Sequence, residues 1–396
     1  MSLRYALRMR WLAFGTFDVE RHPRVAVLIE GLRASGDEVV EVNAPLRLST
    51  AARVAMLRQP WRLPLLAWRL ATCWTRLAVA ARRERRRQAP DAVLVGYLGH
   101  FDVRLARLLF RSTPIALDHL VSAAGTAEDR ALAGSGGIKH RLMRWIDRTA
   151  LRRADVVIVD TVEQGATLPA DAAERSVVVP VGASDVWFKA GEAHTGDAGV
   201  AREPGVVHRA GAPLRVIFVG LFTPLHGTAT IGEALAELAG DDRIAFTMVG
   251  TGQDYDRCRE LASANPRVTW LDWVPGADLP DLVAGHDVSL GIFGTTDKAT
   301  RVVPTKVYQG LAAGCVVVTS DTAPQRNALD DTAVLVPPGD AAALAEALRS
   351  LADDRDRLAK LKSSGQLYAA ERFGPDAVVA PLRRSVAHLE FGHRHR

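Results

Sequence analysis

The chain has 396 residues, of which 48% are hydrophobic and 24% charged, and its formal net charge is +5. This is the composition of a globular protein with a proper core and room for two domains. Three cysteines without metal-type spacing (Cys73, Cys258, Cys315) argue against a disulfide framework, and the lack of an 18-residue apolar run argues against a spanning helix. No secretory signal is recognisable, so we expect a cytoplasmic protein.

The first half predicts a doubly wound domain over residues 1–189, because short apolar strands alternate with helices. Strands are predicted near 8–14, 38–42, 91–97, 114–118, 154–161 and 177–181. Gly15 follows the first strand, where the absence of a Cβ would let the backbone approach a ligand closely. Asp118 ends the fourth strand, at the edge of a parallel sheet where ligands bind. It is therefore either catalytic or a cap of the following turn.

The segment 57–88 predicts a basic amphipathic helix. Residues 1–190 hold 29 Lys and Arg against 19 Asp and Glu, whereas the remainder holds 21 against 26. We expect this helix to lie on an anionic membrane surface; the alternative is that its Trp and Leu pack into its own domain. Nucleic acid is disfavoured, since no nucleic-acid motif accompanies the charge. The candidate membrane contacts are Trp61, Arg62, Trp68, Arg69, Arg76 and Arg83.

Residues 190–213 predict a linker, being rich in Gly, Ala and His without periodicity. A second alternating series over 214–372 predicts another doubly wound domain, with strands near 214–219, 244–249, 268–273, 288–293, 316–319 and 334–336. The end segment, 373–396, predicts a helix that is a candidate to cross back onto the first domain, followed by a frayed tail.

The loop before residues 306–313 predicts an anion site. Pro304 and Thr305 indicate a helix start, because Thr can cap the free amides of the next turn. The positive end of that helix would face the ligand crevice, and Lys298, Arg301 and Lys306 add three cations around it. The alternative is an ordinary strand–loop–helix unit whose charged loop is solvated.

Three stretches of the second half resemble the retaining glycosyltransferases of family 4, the glycosyl transferases group 1: VGLFTPLHG at 219–227, VGTG at 249–252 and PTKVYQGLAAG at 304–314. The resemblance implies the GT-B fold, in which two Rossmann-like domains face each other across a cleft. It also implies transfer of a sugar from a nucleotide-diphosphate sugar to a glycan or lipid-linked acceptor, with retention of configuration. Cell-surface polysaccharide or glycoconjugate synthesis is the expected setting.

The resemblance places the loop 220–227 beside the donor diphosphate. The family commonly has Arg just after the first Gly and Lys just before the second, where this chain has Leu221 and His226. One fixed cation is thus missing, and a histidine ordinarily titrates near neutral pH. The family's paired glutamates correspond to Arg301 and Gln309. The Gln309 amide oxygen can still accept from ribose hydroxyls, whereas Arg301 cannot accept a hydrogen bond.

We therefore expect a rearranged phosphate clamp, in which Arg301, Lys298 and Lys306 stabilise the leaving diphosphate. No metal or other cofactor is expected, since cations and a helix end could take the metal's role. The alternatives are a non-catalytic GT-B module that binds a nucleotide sugar, a partner or a membrane, and a nucleotide-sugar epimerase. The catalytic candidates are Asp118, near the family's donor-contacting His, and Arg301; the donor-binding candidates are Gly15, Gly220, His226, Gly227, Gly250, Lys298, Thr305, Lys306 and Gln309.

Overall fold

The computed structural model describes residues 8–18, 23–46, 61, 63–120, 122, 137–196 and 212–394. The chain divides into two compact units, Met1–Pro180 together with Val378–Arg396, and Val181–Ala377. Each unit contains a six-stranded sheet whose paired strands are all parallel. The prediction of two doubly wound α/β domains is confirmed.

The first sheet has the strand order β2-β1-β3-β4-β5-β6. Its strands are β1 (Arg10–Gly15), β2 (Glu38–Asn43), β3 (Ala92–Val95), β4 (Ile115–Asp118), β5 (Val156–Val159) and β6 (Ser176–Val178). The helices of this part of the chain are α1 (Pro23–Ala34), α2 (Leu63–Arg87), α3 (Asp102–Leu109), α4 (Ile138–Leu151), α5 (Val162–Gly165) and α6 (Ala170–Ala173).

Alternating side chains of these strands build two separate cores, one on each face of the sheet. Trp11 and Ala13 of β1 pack on one face with α1, and Leu12 and Phe14 pack on the other with α2, α3 and α4. A strand buried on both faces needs a continuous apolar run, which is why β1, β3 and β5 were recognisable in the sequence.

The last helix, α15 (Pro375–Arg394), packs its residues from Val378 onward into the core beside α1. Asp37 fixes it there. The buried Asp37 carboxylate accepts hydrogen bonds from both Nε and an Nη of Arg383, at 2.7 and 2.8 Å, and from the indole Nε1 of Trp11 at 3.0 Å. A paired and hydrogen-bonded buried carboxylate of this kind holds two elements in one register.

The second sheet has the order β12-β11-β10-β7-β8-β9. Its strands are β7 (Leu214–Val219), β8 (Ile244–Val249), β9 (Val268–Leu271), β10 (Val288–Leu290), β11 (Val316–Ser320) and β12 (Ala333–Val336). The helices of this unit are α7 (Asp185–Gly196), α8 (Thr228–Glu237), α9 (Tyr255–Leu261), α10 (Leu279–Ala284), α11 (Thr305–Ala312), α12 (Ala323–Leu329), α13 (Ala341–Asp353) and α14 (Arg355–Phe373).

Helix α7 occupies the first residues of the predicted linker 190–213, and 197–211 lie outside the described residues. The glycine that suggested a loop has a packing role, since a Cβ on Gly191 would come within 2.5 Å of the carbonyl oxygen of Ala312 in α11. Trp187 and Ala190 are buried on the same helix. Tertiary packing therefore overrides the local loop signal.

Helix α2 covers most of the predicted segment 57–88, of which 57–60 and Arg62 lie outside the described residues. Its buried side is Cys73, Leu77 and Ala81. Within the described part of the chain, the longer helices all lack the apolar window that a membrane span requires.

Candidate functional site

The carboxyl ends of β7 and β8 meet at two glycines. The Gly220 amide donates to the Val249 carbonyl at 3.0 Å, and Gly250 has a φ of 122°. A Cβ on Gly250 would come 2.0 Å from the Gly220 carbonyl oxygen, a contact that no side chain tolerates. The sequence has glycine here because the two strand ends touch backbone to backbone.

A third glycine joins the loop after β7 to the segment after β10. Gly227 precedes α8 with a φ of 64°, and a Cβ there would lie 2.4 Å from the carbonyl carbon of Phe293. The Phe293 amide donates to the carbonyl of His226 at 3.0 Å. The predicted donor-binding glycines Gly220, Gly227 and Gly250 are thus brought together at one edge of the second sheet.

Lys306, the second residue of α11, reaches into this edge. Its Nζ lies 3.7 Å from the ring centroid of Phe218 and 2.5 Å from where a Cβ on Gly220 would be. The Nζ atom is buried and has no hydrogen-bond partner among the described residues. Burial lowers the pKa of Lys306 well below its ordinary value. An unpaired buried ammonium beside a helix N-terminus is a site for an anion.

His226 lies beside Lys306 but does not act as a second cation. Burial, and secondly the charge of Lys306, lower the pKa of His226 to about 3, so the expectation of titration near neutral pH is wrong. Its Nδ1 is hydrogen-bonded to the carbonyl of Leu221, and a carbonyl can only accept. The neutral ring therefore carries its proton on Nδ1 and offers Nε2 as an acceptor.

The start of α11 differs in detail from the prediction. Thr305 is the first helical residue and Pro304 occupies the cap position, with no side-chain hydrogen bond capping the helix. The expected capping role of Thr305 is therefore wrong, because a cap residue lies outside the helical turn whose amides it binds. Gln309 follows one turn later, partly buried, on the helix that carries Lys306.

Arg301 is held on its own loop. It lies in the 3-10 turn Ala299–Arg301, its Nε donates to the Asp297 carbonyl at 3.1 Å, and its guanidinium pairs with the Asp297 carboxylate. Lys298 lies in the same loop, partly buried. The Asp297 side chain is 86% exposed, so this ion pair is largely solvated and weak.

In the first unit, Asp118 is part of a buried ion pair. Its Oδ1 lies 3.3 Å from Nε of Arg24, both side chains are almost fully buried, and Arg24 also donates to the carbonyl of Pro180. Burial raises the pKa of Asp118 despite the neighbouring guanidinium. Asp160, after β5, belongs to the same cluster, and burial raises its pKa to about 6. No local pattern in the sequence indicates that Arg24 and Asp160 join Asp118, because the three residues are far apart along the chain.

Gly15 lies in a turn organised by Asp102 of α3. One Asp102 carboxylate oxygen accepts from the amide and the hydroxyl of Thr16, at 2.7 and 2.8 Å, and the other accepts from the indole of Trp74 at 2.9 Å. A Cβ on Gly15 would lie 3.2 Å from that carboxylate. Asp102 therefore links β1, α2 and α3 at the carboxyl edge of the first sheet.

Five of the six predicted membrane candidates are exposed on or just before the basic helix α2, and Arg62 lies outside the described residues. Trp61 and Trp68 are 73% and 64% exposed, and Arg69, Arg76 and Arg83 are exposed as well. Trp74 faces inward, since its indole binds Asp102. Helices α3 and α4, which pack on the same face of the sheet, add exposed apolar side chains: Phe101, Leu108, Leu142 and Trp145.

Comparison with known proteins identifies the second unit. A family model described as Glycosyl transferases group 1 matches residues 213–354. The second unit is a group 1 glycosyltransferase domain. The prediction of a glycosyltransferase of this family is thereby confirmed. The matched residues include Lys306 and the sheet edge formed by Gly220, Gly227 and Gly250, which we call the glycine edge.

Several solved structures share the fold of the whole chain. Anabaena HepE in complex with UDP has a TM-score of 0.62 at 14% identity, over 96% of this chain and 100% of its own. Sucrose-phosphate synthase from Thermosynechococcus elongatus has a TM-score of 0.68 at 14% identity, over 97% and 100%. A glycosyltransferase from Rickettsia africae has a TM-score of 0.61 at 12% identity, over 98% of each chain. The predicted GT-B fold is confirmed, and no curated protein is detectably similar in sequence.

Replacing Lys306 tests whether the glycosyltransferase contains a destabilising charge. Lys306→Met should raise the free energy of unfolding at neutral pH by about 1 kcal/mol or more, because an unpaired buried charge is costly. The folded-state pKa is depressed, so the cost is present at neutral pH and fades as the pH approaches about 10.4, the unfolded value. Urea unfolding at several pH values measures this gain.

The exposed Lys360→Met is the matched control and should change stability by less than about 0.5 kcal/mol. A Lys306→Met protein that is less stable than the parent at neutral pH would show that the ammonium is satisfied in the free protein.

Proposed function

We propose that this glycosyltransferase moves a sugar from a nucleotide-diphosphate sugar to a glycan or lipid-linked acceptor, with retention of configuration. The observation that carries the proposal is the buried Lys306 ammonium, which has no hydrogen-bond partner among the described residues and lies over Gly220 at the glycine edge of the second sheet. Synthesis of cell-surface polysaccharide or glycoconjugates is the setting that the resemblance favours.

The diphosphate would occupy the space beside Gly220 and the N-terminus of α11. There Lys306 gains the counter-ion it lacks, and the charge that develops on the leaving diphosphate is stabilised by a group already in place. The neutral His226 contributes a hydrogen-bond acceptor rather than a charge. Gln309, one helical turn after Lys306, would accept from the ribose hydroxyls.

Retention would then depend on positioning. The acceptor must attack from the face that the diphosphate leaves, which requires alignment of the acceptor hydroxyl rather than a protein nucleophile. Asp118 does not suit the role of a catalytic base, because its carboxylate is buried against Arg24. We propose instead that the Asp118–Arg24 pair shapes the strand ends of the acceptor-side domain.

A uridine nucleotide is the first donor to test, because HepE, of similar fold, has been solved with UDP and with UDP-glucose. The thermal transition of the purified protein should rise on adding UDP or a UDP-sugar, since a ligand that binds only the folded state must stabilise it. ADP, GDP and dTDP with their sugars complete the panel. Lys306→Met should abolish the response, while the Lys360→Met protein responds as the parent does.

The same panel separates the alternatives. A transferase releases UDP only when acceptor is present, an epimerase interconverts donor sugars without acceptor, and a binding module shows the thermal shift but no turnover with any acceptor. Absence of a shift with all four nucleotides and their sugars would contradict the proposed donor site.

Arg301 would join Lys306 in binding the diphosphate by exchanging the Asp297 carboxylate for a phosphate oxygen. One of its present partners is the mostly exposed carboxylate of Asp297, and that ion pair is weak, whereas a diphosphate offers a stronger charge-assisted contact. Arg301→Ala should weaken nucleotide binding more than tenfold, measured by calorimetry. Asp297→Ala should leave the affinity unchanged or improve it, because it removes a carboxylate that competes with the diphosphate for the Arg301 guanidinium.

Equal affinities of the parent and the Arg301→Ala protein would contradict the clamp. If both variants weaken binding alike, the Arg301–Asp297 pair acts by shaping the loop rather than by contacting the diphosphate.

We also propose that helices α2, α3 and α4 hold the enzyme on an anionic membrane. Arg69, Arg76 and Arg83 are exposed along α2 together with Trp68, and Trp61 is exposed just before the helix, a combination typical of an interfacial helix. On α4, Trp145 is exposed and stacks against Arg104 of α3, 5.0 Å from its guanidinium. Such a surface combines attraction to anionic lipid with aromatic side chains that sit at the lipid headgroups.

Changing Arg62, Arg69 and Arg76 together to Glu should abolish salt-sensitive binding to vesicles that contain anionic lipid, since each basic residue contributes about 1 kcal/mol at such a surface. Vesicle sedimentation at two ionic strengths measures the loss. The matched control changes three exposed arginines of the second unit, Arg257, Arg357 and Arg372, to Glu and should retain binding. Equal binding by the α2 variant and the parent would contradict the membrane proposal.

A further inference from the structure

Three buried side chains at the carboxyl edge of the first sheet have no part in the proposed function. His100 lies in the turn after β3, His119 directly follows β4, and Asp147 belongs to α4. The three residues are buried, with 7%, 3% and 8% of their surface exposed. The topology thus brings two imidazoles and one carboxylate together from three separate elements.

The ligand atoms of the three residues face one another. One nitrogen of each imidazole and one carboxylate oxygen all lie within 4.8 Å of each other. The two rings meet edge-on with their centroids 5.5 Å apart. Nε2 of His100 lies 3.1 Å from Oδ1 of Asp147, but the approach does not have the geometry of a hydrogen bond.

One ring nitrogen of each imidazole is not satisfied by a hydrogen bond among the described residues. Nε2 of His100 and Nδ1 of His119 are buried and make no hydrogen bond within the part of the chain that the structure describes. Buried polar atoms are ordinarily satisfied, because leaving them unpaired costs stability. Close approach without a hydrogen bond is what ligands of a common metal ion show, since each directs its lone pair at the ion.

We infer that His100, His119 and Asp147 bind one first-row divalent metal ion of the zinc type. Two imidazole nitrogens and one carboxylate oxygen suit such an ion, with the fourth position left to water or another ligand. Bonds of about 2.0 to 2.2 Å place tetrahedral ligand atoms about 3.3 to 3.6 Å apart. A pair of ligand atoms 4.8 Å apart therefore has to close by about 1.2 to 1.5 Å, within reach of side-chain rotation.

The carboxylate is already oriented for this role. The Ser122 hydroxyl donates to Oδ2 of Asp147 at 3.1 Å, and Oδ1 of the same carboxylate lies 3.1 Å from Nε2 of His100. Hydrogen bonds from outside the ligand set commonly fix ligands in this way. The bound ion would tie α4 to the ends of β3 and β4, and so stabilise the first unit independently of any donor in the second.

Titration with Co²⁺ tests the inference, because tetrahedral Co²⁺ with nitrogen and oxygen ligands absorbs visible light. The full chain, stripped with a chelator and free of any affinity tag, should bind one Co²⁺ and release it to Zn²⁺. Zn²⁺ should also raise the thermal transition by mass action. His393 and His395 near the chain end could chelate Co²⁺ adventitiously, so both are first changed to Ala in every protein compared.

His100→Ala and His119→Ala should each weaken Co²⁺ binding at least about 100-fold, since loss of a ligand exceeds the 10- to 100-fold effect of its outer partners. Asp147→Asn keeps the shape of the side chain and should do the same. Ser122→Ala should weaken binding about 10-fold without loss of a ligand. His286→Gln is the control, because both ring nitrogens of His286 already have partners, Leu282 and Thr247, and it should bind Co²⁺ as the parent does.

Circular dichroism of the metal-free variants shows whether each is folded, and Asp147→Asn and Ser122→Ala decide the matter if a histidine variant is not. The inference is overturned if the parent binds no Co²⁺ at one equivalent. It is equally overturned if folded variants bind as the parent does, which would leave the cluster as a structural network only.

Discussion

The second unit depends on the contact between the backbones of β7 and β8 at their carboxyl ends. Gly250 approaches the Gly220 carbonyl so closely that only a residue without a Cβ fits. The Lys306 side chain extends over this contact, and its ammonium lies above the ring of Phe218. An ammonium group buried there without a hydrogen-bond partner among the described residues costs stability that the rest of the fold must supply. Proteins commonly carry such a cost at functional sites, which is why the proposed donor site is centred on Lys306.

Charge is handled differently in the two units. In the second, Lys306 has no partner among the described residues, and its field helps to keep the neighbouring His226 neutral. In the first, buried carboxylates are matched to donors: Asp37 to Arg383, Asp102 to Thr16 and Trp74, and Asp118 to Arg24. These matched groups fix helices to strand ends and organise the sheet edge. Among the described residues, other buried polar atoms at that edge also lack a hydrogen bond, including Oδ2 of Asp118 and Oδ1 of Asp160. The His100–His119–Asp147 cluster differs from them because its ligand atoms all lie within 4.8 Å of one another.

Helices α2, α3 and α4 carry apolar side chains on two sides: one side packs on the sheet, and the other is exposed. Cys73, Leu77 and Ala81 face the sheet, while Trp61 and Trp68 face outward. A helix needs only one apolar side to pack on a sheet, so apolar side chains on the opposite side are not explained by the core of the unit. Their position among arginines is the observation on which the proposal of an anionic membrane partner rests.

The sequence by itself determined the twelve strands, the two doubly wound domains and the glycosyltransferase family. Strands buried on both faces require apolar runs, and strand ends that touch require glycines, so both leave local traces at β1, Gly220 and Gly250. Only the tertiary structure decided how charged side chains are partnered. His226 is neutral because burial and Lys306 act on it, and Arg301 is held because Asp297 lies one turn before it. Asp118 meets Arg24, and His100 and His119 meet Asp147, across long stretches of chain. Contacts between distant residues leave no periodicity in a single sequence, because what joins them is the order of strands in a sheet and not their spacing along the chain.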